Sequence, residues 1–289
     1  MFRSGIIAAL VVALALLGAC SALRFGYNQA DELAYWWLDG YLDFTDVQTP
    51  KVRQALTRWH AWHRRTQLTD YAALLARART DVPNPTSAER VCDWWTDVRG
   101  RIDVSIDQVI VPTAELMLSL SPEQVKHIER RYAKGNEEFR ADYLQADPAQ
   151  RLKDSVKRAV DRAETFYGPL DEVQRERIAK SVADSPFDAE LWFSERKQRQ
   201  QDALQMLRRL KTEGATVDKA QAALRAYIDR TARSPRPEYQ RLAQSLTRYN
   251  CAFAANLHNA TSAAQRAVLV GKLKGWEGEL RSLAADAAP

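Results

Sequence analysis

The sequence is poor in glycine: 11 in 289 residues, two of them among the first 18. Hairpin turns and bulges draw on glycine, so an all-β fold is disfavoured. Histidine is scarcer still, at four. No Gly-rich phosphate loop, H-E-x-x-H or G-x-S-x-G occurs, which leaves the local signatures of nucleotide cradles, zincins and serine hydrolases unfilled. After the N-terminal apolar run no second stretch of about 20 apolar residues follows, so nothing else reads as a membrane span.

What is present is globular: 46% hydrophobic and 27% charged residues, against a disordered chain. The length allows one large domain or two small ones with a sizeable core. The net charge is +5, and +4 once residues 1–19 with their single arginine are removed. That is too mild for a nucleic-acid footprint, and no nucleic-acid partner is expected.

The N-terminus reads as an address. Arg3 precedes an apolar run from Ile6 to Leu17, then Leu17-Gly18-Ala19-Cys20. The run is short for a membrane span and has the order of a secretory signal. Its ending resembles a bacterial lipobox. The resemblance implies cleavage after residue 19 and acylation of Cys20, palmitate included. Ser21 follows in place of an aspartate, which by resemblance to lipoprotein sorting implies the outer membrane. A cysteine carrying several acyl chains anchors firmly, each buried methylene contributing about 0.8 kcal/mol. In an oxidising periplasm the other two cysteines, Cys92 and Cys251, are expected to pair, two separate buried thiols being the alternative.

Almost every segment reads as helix. Amphipathic spacing marks 31–41, 50–67, a helix from Thr69, and 86/87–118, which Pro112 should kink or end one turn early. Helices are expected near 122–145, 149–166, 171–184, 187–212, 216–232, 237–258 and 263–284, with Pro pairs and Gly214 as breaks. Val104–Val111 alternates like a short strand but has no plausible partner. The expectation is all-α: a single compact domain of about 9–11 helices behind a lipoprotein signal. Its parts are a signal peptide (1–19), a lipid-anchored tether (20–30), a helical periplasmic domain (31–284) and a loose tail (285–289).

A pattern echoes along the chain. Thr45-x-x-Gln48, Ser121-x-x-Gln124, Asp171-x-x-Gln174 and Ser262-x-x-Gln265 each precede an apolar residue one turn later. This is capping-box chemistry. The uneven gaps between the glutamines favour four well-capped helices over a repeated functional motif. Pro50 conflicts with a start at Thr45, and Thr49 competes as cap. Leu120-Ser121-Pro122-Glu123-Gln124 also resembles the Leu-Thr-x-x-Gln motif of small periplasmic stress proteins with chaperone-like activity.

The densest chemistry lies between Tyr27 and Arg65. Tyr27-Asn28, then Trp36, Trp37, Asp39, Tyr41 and Asp43, then Trp59, His60, Trp62, His63, Arg64 and Arg65 follow in order. Here the chain resembles an uncharacterised family of proteobacterial lipoproteins, known as a domain of unknown function. The likeness rests on the lipobox, Tyr-Asn, the Trp-Trp-Leu-Asp-x-Tyr-x-Asp segment and the Trp/His-rich helix ending in basic residues. It is sharp over about 40 residues and implies a lipoprotein with a helical periplasmic body, without an assigned activity.

His60 and His63 sit one turn apart, but a zinc site needs three or four ligands. His127 and His258 have no ligand spacing around them, so neither metal nor cofactor is expected. The tryptophans have three readings: core, a groove for peptide, glycan or lipid tail, or a seat at the membrane interface. Asp39 and Asp43 are expected to pair with Arg64 and Arg65 across the two helices. The segments Glu195–Arg199 and Arg208–Lys211 read as a solvated helix face, with contact to anionic lipid as the alternative. The leading expectation is a non-catalytic envelope adaptor that presents residues 31–65 to a protein partner, with any small ligand unknown. A chaperone-like binder of unfolded envelope proteins and a peptidoglycan hydrolase, whose carboxylates would leave little local signature, are the alternatives.

Overall fold

The computed structural model describes residues 23–286. The expected signal (1–19) and Cys20 lie outside the described residues, as do 287–289. Residues 23–28 form a helical lead-in. Twelve helices follow: α1 Ala30–Leu42, α2 Gln48–Thr66, α3 Leu68–Asp81, α4 Ala88–Asp107, α5 Ile110–Ser119, α6 Pro122–Tyr143, α7 Pro148–Tyr167, α8 Glu172–Ala183, α9 Ala189–Thr212, α10 Val217–Ala232, α11 Pro237–Asn259 and α12 Ala263–Ala285. No strand occurs among the described residues, and no helix there is long and apolar enough to cross a membrane. The domain is all-α.

Local chemistry sets the boundaries. Ser87, Ser121, Asp171, Asp188, Thr216 and Ser262 each accept a hydrogen bond from the amide three residues on, filling an amide that the helix itself leaves open. Pro122, Pro148 and Pro237 open α6, α7 and α11, where a missing N–H costs nothing. Gly168 (φ +77°) and Gly214 (φ +54°) take left-side backbone conformations after α7 and α9. The segment 87–118 is two helices, so the described count exceeds the expected 9–11. It breaks at Gln108–Val109, which places Pro112 in the first turn of α5, the one place a helix tolerates it.

The packing has an internal order. α3 lies on α12, α4 on α11, α5 on α10 and α6 on α9; α1 touches α2 and α6, and α7 touches α8 and α12. Advance every helix by six, counting round from α12 to α1, and this set of pairings maps onto itself. The body is two six-helix halves, α1–α6 and α7–α12, that exchange helices. The main core sits where α5 and α6 meet α9 and α10, around Ile110, Met117, Ile128 and Leu207. A smaller one joins α7 and α8 to α11.

Two amide clasps, one buried and one half-buried, fix the halves. Thr45 N–H donates to Gln48 Oε1 at 3.0 Å while Thr45 Oγ1 accepts from Gln48 N–H at 3.3 Å. Thr45 is therefore the cap; the Thr49 hydroxyl bonds Tyr35 Oη at 3.1 Å instead. Ser121–Gln124, Asp171–Gln174 and Ser262–Gln265 form the same reciprocal box. The glutamines then pair. Gln48 Nε2 donates to Gln124 Oε1 at 3.2 Å, and Gln124 Nε2 to Gln48 Oε1 at 2.8 Å. Gln174 and Gln265 do likewise at 2.8 and 2.9 Å. Each Nε2 also donates to the carbonyl two residues before its partner's cap: Gln48 to Ser119, Gln124 to Asp43, Gln174 to Ala260, Gln265 to Pro169. The four expected caps form, and the structure adds that they associate in twos. The repeat unit is a pair of caps, 76 residues apart in one half and 91 in the other.

The halves are also joined covalently. Cys92 of α4 and Cys251 of α11 form a disulfide across 159 residues; in the chain-entropy model a loop of that length contributes about 5 kcal/mol. The ends meet as well. Arg24 pairs with Asp286 at 2.5 Å, and Leu283, near the end of α12, is fully buried. Residues 24–28 and 285–286 thus make contacts that a loose tether and tail would lack.

Replacing Gln124 by Ala leaves the amide of Gln48 and the carbonyls of Leu42 and Asp43 without their partner. In urea unfolding it should cost about 2–4 kcal/mol. A double-mutant cycle with Gln48→Ala should return a coupling of about 1–2 kcal/mol; additive losses would mean that the amides act only as separate caps.

Candidate functional site

α1 and α2 run antiparallel, and the lead-in lies on the far end of α2. The Tyr27 hydroxyl meets His63 Nδ1 at 2.9 Å, its ring sits 4.7 Å from that of His60, and Arg64 Nη2 donates to Asn28 Oδ1 at 2.5 Å. Tyr-Asn and the Trp/His helix are thus two halves of one contact. Further along α1, Asp31 accepts from Thr57 Oγ1 at 3.2 Å, Glu32 pairs with Arg53, and Arg53 stacks over Tyr35 at 3.8 Å.

This geometry divides the predicted residues. Trp59, Trp62, His60 and His63 are buried or half-buried. Trp59 Nε1 donates to the Ser105 carbonyl at 3.2 Å, and its ring stacks on His63 at 4.8 Å. Leu33, Trp36 and Trp37 face outward, 59%, 64% and 64% exposed. At spacings of three and four residues they form one stripe on α1. Tyr41 lies half-buried against Trp37 at 4.8 Å. Asp39 and Asp43 do not meet Arg64 and Arg65. Their helix ends are opposed, since the 16 residues from Gln48 to Arg64 span about 24 Å of helix. Asp39 Oδ1 accepts from the Phe44 amide at 2.9 Å, and the Asp43 carbonyl serves the Gln48–Gln124 clasp. Arg65 is exposed.

The imidazoles are set by burial. It lowers His63 below the ordinary 6.5, with His60 adding to the effect. Burial lowers His60 too, against the pull of Asp31 Oδ1 3.9 Å from Nδ1. Burial also pushes the Tyr27 phenol up to about 12, so it stays a neutral partner for His63. Among the described residues no group of three or more His, Cys, Asp or Glu is arranged to hold a metal.

Sequence reasoning missed a cavity. About 560 Å³ opens between α1, α5, α6, α9 and α10, with Trp37 and Tyr41 on its wall. Of the stretch Glu195–Arg199, expected to face solvent, Glu195, Arg196 and Arg199 line it, while Lys197 and Gln198 are exposed. Glu195 is 3% exposed, its carboxylate held by Arg199 at 3.0 Å and Arg236 at 3.5 Å. The available signal was the stripe Trp192, Glu195, Arg199, Ala203, Met206, which runs at helical spacing into the apolar Leu207 and Leu210.

A family model described as a family of unknown function (DUF6279) matches residues 40–230. It begins at Gly40, just after Trp36-Trp37-Leu38-Asp39, and ends in α10. No curated protein and no solved structure matches the chain.

Two outcomes follow from this division. Trp36→Ala and Trp37→Ala should each change unfolding free energy by no more than about 0.5 kcal/mol, whereas Trp59→Ala should cost about 3 kcal/mol. The folded state holds fewer protons on His60 and His63 than the unfolded state does. Their stabilisation is whole above the ordinary 6.5 and is lost as pH falls below it through their depressed values. The urea midpoint should drop on acidification, and His60→Asn with His63→Asn should flatten that slope. An unchanged slope would assign the acid sensitivity to other groups.

Proposed function

We propose that this chain, which belongs to the DUF6279 family of unknown function, is a non-catalytic, lipid-anchored interaction protein of the outer membrane, facing the periplasm. The observation that carries the reading is the outer face of α1. Its inner side is fastened by Asp31 and Tyr35, and the lead-in before it by Tyr27, while Leu33, Trp36 and Trp37 are left in water. Large aromatics of this kind are the usual anchors of protein interfaces. The lipobox-like run ending at Cys20 supports an anchor 13 residues before Leu33. The expected binding residues narrow accordingly: Trp36 and Trp37 present the surface, and Trp59, His60, Trp62, His63 and Arg64 hold it in place.

The chaperone-like reading rested on the four capping segments. Their glutamines are used inside the two clasps, so the fold accounts for them. A retaining or inverting glycosidase needs two carboxylates flanking one cleft, and the α9 cavity offers Glu195 between two guanidinium groups.

A photo-crosslinking amino acid at Leu33 of the full-length protein, activated in living cells, tests the proposal. One discrete protein adduct, lost in Trp36→Ala/Trp37→Ala and absent when the crosslinker sits at exposed Val173 of α8, is the expected result. A ladder of unrelated proteins would restore the chaperone-like reading. Adducts to lipid alone would overturn the adaptor in favour of a membrane seat.

A further inference from the structure

The two halves of the fold carry two related cavities, and the comparison between them identifies a binding site. The first is the 560 Å³ space between α1, α5, α6, α9 and α10; the second, about 410 Å³, is walled by α3, α4, α11, α12 and the end of α7. Advancing each of these helices by six converts one set of walls into the other; Tyr239 of α11, which also lines the first cavity, has no counterpart at the second. Residues correspond in register. Tyr41 and Tyr167 stand four positions before the caps Thr45 and Asp171, and Ile128 and Leu269 seven positions after the caps Ser121 and Ser262. Arg131 and Lys272 stand ten positions after the same two caps.

The second cavity ties its tyrosine to a neighbouring side chain. The Tyr167 hydroxyl meets His258 Nδ1 at 2.9 Å, and His258 Nε2 meets the Asn84 carbonyl at 2.9 Å. Lys272, outside the lining of that cavity, donates Nζ to the Thr165 carbonyl at the end of α7. The first cavity does not. Among the described residues, the Tyr41 and Tyr132 hydroxyls make no hydrogen bond to protein. Arg131 lies over the Tyr41 ring at 5.0 Å with no carboxylate in ion-pair range, and its Nε is shut off from water without a partner. Water reaches the two hydroxyls, but the Arg131 Nε is closed off, and buried polar groups in native proteins are nearly always paired. Charge points the same way. Glu195 is already matched by Arg199 and Arg236, and Arg196 donates only to neutral acceptors, Asn136 Oδ1 at 2.9 Å and the Gly135 carbonyl at 3.4 Å. Two guanidinium groups remain without an anion. The floor is apolar and includes Met117 and Met206, the two methionines of the chain besides Met1. Methionine adapts to flexible apolar ligands.

We propose that this first cavity binds an amphipathic anion: a single acyl chain ending in a carboxylate or phosphate. The chain lies on Met117, Leu120, Ile128 and Met206, and the head group accepts from Arg131 and Tyr132. The volume falls in the range of small-ligand sites, and the size and methionine floor suit one flexible chain. This inference does not rest on the adaptor reading, which concerns the outer face of α1, although Trp37 borders both.

The test is photoaffinity labelling of the full-length chain in isolated membranes. The probes are diazirine-bearing fatty acids, the matching lysophosphatidic acid, and the neutral fatty alcohol, with adducts mapped by peptide mass spectrometry. The acid probes should label α6 and α9 at the cavity, and the alcohol should label at about one-tenth that level. Arg131→Gln should reduce acid labelling about tenfold, the worth of a charged hydrogen bond, and leave alcohol labelling unchanged. Ala203→Phe, which fills the floor, should abolish both. Carboxylate against phosphate identifies the head group. Equal labelling by acid and alcohol, adducts confined to the outer face of α1, or no effect of Arg131→Gln would each overturn the proposal. Melting temperatures of both variants guard against misfolding, and Arg131→Gln, at the half-buried rim, carries the decision if Ala203→Phe does not fold.

Discussion

The pairing of two glutamine amides across facing helix starts is the interaction on which the rest of this structure depends. A primary amide has one acceptor oxygen and two donor hydrogens. In each clasp the oxygen caps its own helix and meets the partner amide, while the two hydrogens serve the partner oxygen and a backbone carbonyl of the partner segment. Every polar atom at the junction is used. Glutamate would cap a single helix as well. At this place it would set two carboxylates face to face and remove the donors that the carbonyls of Ser119, Asp43, Ala260 and Pro169 require. Burial sharpens the choice, because an unmade hydrogen bond costs more out of water than in it. The clasps hold α2 to α6 and α8 to α12 by their first turns, and from there the exchanged packing of the two halves follows.

Two equivalent frames need not have equivalent contents. In the second half a histidine closes Tyr167 onto the Asn84 carbonyl. In the first, Tyr41, the counterpart of Tyr167, has no such partner, and Arg131 and Tyr132 of the neighbouring α6 make no side-chain hydrogen bond to protein among the described residues. Burial pushes the Tyr132 phenol up to about 12, so it is a neutral donor at any physiological pH. One frame is sealed by its own side chains and the other is furnished with donors.

What the sequence made legible was local. Caps, proline breaks and amphipathic spacing act within four residues, and they place nearly all the helices. The disulfide followed from the expected compartment and the count of cysteines. The clasp did not, since it joins residues 76 and 91 positions apart and the two spacings differ through helices of unequal length. The expected Asp39–Arg64 pairing failed for the same reason: adjacency in the sequence says nothing of which end of a hairpin a charge reaches. Glu195 was misread because a charged residue inside a basic run looks solvated until its two arginine partners, one of them 41 residues away in α11, are placed.

α1 keeps Leu38 and Leu42 toward the core yet leaves other large apolar groups in water. Its packed side uses polar and aromatic groups that bond α2, and its wet side carries Leu33, Trp36 and Trp37. Spacing alone could not decide this, because both faces are apolar enough to be core. A tryptophan carries about 200 Å² of side chain, and at about 25 cal/mol per Å² the exposed fraction of each ring holds back roughly 3 kcal/mol. That free energy is unavailable to folding. It is released only when something covers the face, and the fastening of the opposite face by Asp31 and Tyr35, and of the lead-in by Tyr27 and Arg64, means that α1 meets whatever covers it already ordered. Little conformational entropy remains to be lost on contact, so a small apolar patch on this helix can support binding that the same residues on a free chain would not.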